Sequence, residues 1–140
     1  MNTLLCRITE THAGILVSLM RLLVGFIFFK AGAGKLFGWF GGFGIEKVIG
    51  FFTNLGIPYP QYNAYLVGGV EFFGGILMLL GLLTRLVSIP FCIIMLTAIF
   101  TAHKDGDFYY PLLIFAACLT LIEVGAGSIS LDKYLGKKKI

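Results

Sequence analysis

The chain has 140 residues, of which 58% are apolar and only 13% charged, with 19 glycines and 14 phenylalanines. A water-soluble domain carries about 25% charged and about 45–50% apolar residues, so this composition excludes most soluble folds and a disordered chain alike. Cys6, Cys92 and Cys118 are far apart with no C-x-x-C pair, which leaves a disulfide framework, a zinc site and a dithiol redox centre without support.

Crossing a hydrocarbon core takes roughly 17–25 apolar residues per helix, and four runs approach that size. They extend from Ala13 to Ala33, Ala64 to Leu83, Leu86 to Ala102 and Phe108 to Leu131. The fold class predicted is all-α: a single-domain, polytopic membrane protein built as a four-transmembrane-helix bundle. In the first run, Ala31-Gly32-Ala33 has the small-x-small form of a signal-peptide cleavage site. Arg21 inside the apolar region and Lys30 beside the site argue instead for a retained span.

Between the first and second runs, residues 38–60 are too interrupted to cross a bilayer. Ile45, Val48, Ile49, Phe52 and Leu55 recur on one helical face, with Glu46, Lys47, Thr53 and Asn54 on the other. Two readings fit: a short helix in the membrane interface, with Trp39 and Phe40 at headgroup depth, or an ordered loop capping the bundle. Pro58 and Pro60 then punctuate the entry to the second run. Pro90 is expected in the first turn of the third, where its missing N–H costs little.

Four spans place both termini on one side. Arg7, Arg85, Lys133, Lys137, Lys138 and Lys139 share that side, against Lys30, Lys35, Lys47 and Lys104, which favours cytoplasmic termini in a plasma membrane. The basic tail is read as a lipid-facing anchor rather than a nucleic-acid patch, so no nucleic-acid partner is expected.

Charges at membrane depth are expensive and need partners. Arg21 lies on a small-residue stripe with Gly14, Ser18, Gly25 and Gly32, and Glu71 on another with Ala64, Gly68 and Gly75; both therefore point into the bundle. With a rise of about 1.5 Å per residue, Arg21 lies roughly 12 Å and Glu123 roughly 9–12 Å from the same boundary, which predicts an inner ion pair. Glu71, about 10 Å from the other boundary, is predicted to meet Lys35 and His103 there, with Phe28, Phe72 and Phe73 as apolar walls. The inner pair reads as a structural lock. The outer group reads equally as structure or as a ligand-binding, proton-handling site, since an imidazole changes charge near neutral pH. His103-x-Asp105-x-Asp107 reads as a solvated turn, and no metal is expected.

These pieces fall in a familiar order: Arg21-Leu-Leu-Val-Gly25, Gly32-Ala-Gly-Lys35-Leu36, Gly56-Ile-Pro58, Val70-Glu71-Phe-Phe-Gly-Gly75, Leu80-Gly-Leu-Leu-Thr84-Arg85, His103, and Gly125-Ala-Gly-Ser-Ile-Ser-Leu-Asp132. From Leu16 to Leu135 the chain resembles the DoxX family of small four-helix bacterial membrane proteins. The resemblance implies a plasma-membrane location, with Arg21, Lys35, Glu71, Arg85 and His103 at the family's characteristic polar positions. It also implies links to quinone-coupled sulfur oxidation and to complexes joining a superoxide dismutase with a sulfurtransferase. Tyr109-Tyr110-Pro111 replaces an acidic loop of the family, and Glu123 replaces an apolar residue.

The expected function is an accessory subunit of a redox or oxidative-stress membrane complex, with a quinone as candidate cofactor and soluble redox proteins as candidate partners. Two alternatives stand beside it. One is a homo-oligomeric binder or transporter of a small or lipid-like molecule, and the other a structural anchor for soluble partners. The candidate ligand-binding or proton-handling residues are Glu71, Lys35, His103, Arg21, Glu123 and Arg85.

Overall fold

The structure, a computed structural model, describes residues 14–103, 105–132 and 134. Arg7, Lys104, Lys133 and the Lys137–Lys139 tail, which carry part of the charge asymmetry, lie outside the described residues, as does Cys6. The regular elements among the described residues are all helical: α1 (Ile15–Phe37), a 3-10 turn (Trp39–Gly41), α2 (Ile45–Asn54), α3 (Pro60–Leu80), α4 (Thr84–Phe100) and α5 (Tyr109–Val124).

Each boundary has a local cause. α1 continues four residues beyond the predicted end and takes in Lys35, because the first stop signal is Gly38, which adopts the left-handed conformation at φ 72° and donates its N–H to the Gly34 carbonyl. The helical reading of the interfacial segment is the one realised, with Val48 buried on the predicted apolar face of α2. α3 starts earlier than predicted, with Pro60 pre-organised in its first turn. α4 also starts early, at Thr84, so Pro90 falls in the second turn rather than the first. Its absent N–H there removes the helical partner of the Leu86 carbonyl.

The fourth run departs most from expectation. Its helix stops at Val124, not Leu131, since Gly125 takes φ 89° and Gly127 φ 86°, values that side-chain-bearing residues rarely adopt. The irregular segment that follows folds against the start of α1, where its backbone groups find partners. Ser128 N–H donates to the Gly14 carbonyl at 3.1 Å, Ile129 N–H to Ser18 Oγ at 3.1 Å, and Asp132 N–H to the Gly81 carbonyl at 3.0 Å. Non-helical backbone is tolerated near a membrane only when protein satisfies it in this way.

α1 and α3 form the most extensive helix pair, α4 packs on α5, and the α3–α4 and α1–α5 contacts close the bundle. The small-residue stripes explain the first pair. A Cβ on Gly32 would lie 2.3 Å from the Phe72 backbone nitrogen, and one on Gly75 2.5 Å from that of Phe29, so the two backbones touch where only glycine fits. Gly32→Ala should therefore lower stability in detergent by about 1–3 kcal/mol through overpacking. Gly69→Ala, which meets nothing within 4 Å, should be close to neutral by the same thermal-melt measurement.

The core joins Val24, Phe28, Met78, Phe91, Ile114 and Leu121, with Phe28 stacked on Phe91 at 3.7 Å between ring centroids. Outward faces are equally apolar: Leu16, Leu23, Phe73 and Leu113 are all exposed. Large apolar side chains spread around the whole bundle suit lipid rather than water. α1 and α3, with 23 and 21 residues, are long and apolar enough to span a bilayer; α4 and α5, with 17 and 16, are apolar but shorter.

Candidate functional site

The placement of Glu71 follows from the glycines around it. Gly68 seats Leu36 of α1 and Gly75 seats the backbone at Phe29, so the α3 face between them is pressed against the last turns of α1. Glu71, 1% exposed, then meets the first long cation on that face: Lys35 Nζ donates to Glu71 Oε2 at 2.5 Å. The carboxylate side of the pair is buried while the Lys35 side chain retains 28% exposure, so the amine is the partner in touch with the surroundings.

The pair forms part of the wall of a cavity of about 690 Å³ between α1, α2, α3, α4 and α5. His103, just beyond α4, and Asn63, in the first turn of α3, add polar groups to the same wall. Phe28, Phe52, Val67, Ile94 and Ile114 supply apolar surface. Size and chemistry match those of small-molecule sites, which are mostly apolar with a few convergent polar groups. A buried carboxylate held by one amine, in a cavity that an imidazole also lines, can orient a hydrogen-bonding ligand or pass a proton to it.

Lys35, Glu71 and His103 thus share one cavity; the remaining candidates lie elsewhere. The predicted Arg21–Glu123 pair does not form. Glu123 is exposed on α5, whereas Arg21, 2% exposed, donates from a guanidinium nitrogen to the Ala126 carbonyl at 3.2 Å and has Asp132 as its electrostatic partner. Glu123 would face Arg21 only on a helix that continues past Gly125, whereas α5 ends at Val124. The actual break brings a backbone carbonyl to Arg21 instead. Asp132, quoted in the terminal motif but assigned no role, accepts from the backbone N–H groups of Leu83 at 2.8 Å and Thr84 at 3.0 Å, so it also caps α4. Arg85 is exposed beside this cluster, at the end of the bundle away from Lys35 and His103.

Of the predicted apolar walls only Phe28 lines the cavity. Phe73 is 64% exposed, and Phe72 stacks on Phe29 at 5.2 Å and meets Phe37 and Trp39 edge-on, on the far side of the α1–α3 contact. Phe72 and Phe73 adjoin Glu71 in the chain, but residues 71, 72 and 73 leave a helix about 100° apart and so face different ways. Tyr110 and Asn63, which also line the cavity, carried no signal in the sequence beyond their positions at helix starts. Cys92 and Cys118, unrelated by spacing, are free thiols that face one another in the core between α4 and α5.

These features define an all-α membrane protein with a largely apolar cavity, a buried ion pair set in its wall, toward one end of its bundle. The chain belongs to the DoxX family, whose model matches residues 16–104. It is 32% identical over 125 residues to the Bacillus subtilis protein named "Putative oxidoreductase CatD", covering 86% of this chain and 87% of that one. It is also 32% identical over 136 residues to "Uncharacterized membrane protein Rv3486" of Mycobacterium tuberculosis, covering 85% of this chain and 80% of the relative. An uncharacterized Haemophilus influenzae protein is 28% identical over 141 residues, with 94% and 91% covered. No solved structure matches the chain.

Proposed function

We propose that the protein is a membrane-embedded accessory subunit of a redox system, which holds a quinone-like ring in the cavity beside Glu71. The observation that carries this reading is the buried Lys35–Glu71 pair set into the wall of an otherwise largely apolar cavity of about 690 Å³. A quinone is an apolar ring carrying carbonyl oxygens, and such a molecule needs apolar walls and donors together. Lys35 Nζ and an imidazole N–H of His103 are donors in the cavity wall, with Asn63 and Tyr110 beside them, and the Glu71 carboxylate holds the amine in position. When bound, a quinone supplies two-electron, two-proton carrier chemistry. The residues of this chain bind it, orient it and hold protons near its oxygens, while electrons come from a partner protein. The word "oxidoreductase" in the name of the Bacillus subtilis relative supports the reading. The same proposal places the protein in the bacterial inner membrane with both termini cytoplasmic.

Titrating the purified protein with a short-chain quinone analogue tests this. Wild type should bind, and Glu71→Gln should remain folded while its affinity falls roughly tenfold, the loss expected for a hydrogen bond to a charged group. Equal binding by both proteins, or equal binding of a ring analogue stripped of its carbonyls, would overturn the assignment.

A further inference from the structure

A second cavity of about 840 Å³, between α1, the 3-10 turn, α2 and Tyr110 of α5, adjoins the first and shares Lys35, Phe51, Phe52 and Tyr110 with it. Its wall carries Lys30, Lys35 and Lys47 and no carboxylate. The nearest acid is Glu71, already held by Lys35, and Glu46 is exposed on the polar face of α2. Lys30 and Lys47 form no ion pair with any described residue, so counting Glu71 leaves a local excess of two positive charges. Around the amines stand Phe26, Trp39, Phe40, Phe43 and Phe51. The sequence explains why the pocket is open: Gly42 approaches Gly34 so closely that a Cβ on it would lie 2.2 Å from the Gly34 Cα, which folds the 3-10 turn back onto α1.

We infer that this cavity binds an anionic amphiphile through its phosphate group, and that the occupant is a phospholipid with net negative charge. Lys30 and Lys47, two amines without a compensating carboxylate, complement a phosphate together with the shared Lys35, and a membrane supplies phosphate already attached to apolar chains that can lie along Phe26, Phe43 and Phe51. A zwitterionic phospholipid brings its own cation to the same place and is disfavoured by like charge. Because Lys35 belongs to both cavities, the phosphate also competes with Glu71 for that amine. Lys30 and Lys47 line only this adjoining cavity, so lipid binding there does not depend on the quinone reading.

The test is native mass spectrometry of the intact protein released from detergent after incubation with defined lipids. Phosphatidylglycerol should be retained at least tenfold more than phosphatidylcholine, and Lys30→Gln/Lys47→Gln should remove that preference while its melting temperature in detergent stays within a few degrees of wild type. Inorganic phosphate at the same concentration should not displace the lipid. Equal retention of the two lipids by wild type, an unchanged preference in the double variant, or displacement by phosphate alone would each overturn the proposal. Should the double variant unfold, the single variant Lys47→Gln on exposed α2 must still halve the preference or the proposal fails.

Discussion

Lys35→Met is expected to lower the stability of the protein by about 3–5 kcal/mol, the cost of stranding one member of a buried ion pair. At 1% exposure Glu71 has almost no contact with solvent, so removing the amine takes away the one cation that offsets the burial of its carboxyl group. Glu71→Gln should cost much less. Its amide preserves the shape, and Lys35, with 28% of its side chain exposed, can turn its amine away from the bundle. Lys35→Met/Glu71→Leu should recover most of the loss, since a well-packed apolar pair replaces a buried ionic one at little net cost. Thermal melts in one detergent of wild type, Lys35→Met, Glu71→Leu and Lys35→Met/Glu71→Leu read the cycle, with Glu71→Gln measured beside them. Equal losses from Lys35→Met and Glu71→Gln would contradict the asymmetry, and additive losses would contradict direct coupling.

Arg21→Met is expected to be the second large effect, on the order of 3 kcal/mol, through a different mechanism. The guanidinium is packed so tightly against the α3–α4 turn that a Cβ on Gly81 would lie 2.0 Å from one of its nitrogens. It donates to the Ala126 carbonyl, in the segment that leaves α5 without helical hydrogen bonds. Loss of the arginine leaves that carbonyl buried without its donor and Asp132 without its cation, at the point where Asp132 caps α4. Glu123→Gln, on an exposed face, should stay within about 0.5 kcal/mol of wild type. A double-mutant cycle should show coupling between Arg21 and Asp132→Asn and none between Arg21 and Glu123. Coupling to Glu123 instead would mean that α5 continues past Gly125 in the membrane.

The contrast between these two arginine and lysine sites shows where a sequence can be read and where it cannot. Hydropathy alone identified the four long apolar segments, because a chain in lipid must satisfy its backbone within each helix and so announces itself by composition. The stripes of Gly25 and Gly32 on one helix and Gly68 and Gly75 on the other indicated which faces meet, since close approach demands small residues at a fixed spacing. With the faces and the rise per residue known, the meeting of Lys35 and Glu71 was a matter of arithmetic on regular helices. That arithmetic failed for Arg21 because it carried a regular rise through Gly125-Ala-Gly127, where two glycines with positive φ turn the chain. The turn signal was in the sequence, but the destination of the turn was not. Whether Ala126 or Glu123 faces Arg21 depends on how residues 125–132 pack on the start of α1 and on the α3–α4 turn, contacts more than 40 residues apart in the chain. The two cavities are likewise a tertiary product: their walls come from helices whose separation is set by backbone contacts at Gly32, Gly42 and Gly75, and no local pattern encodes an empty volume.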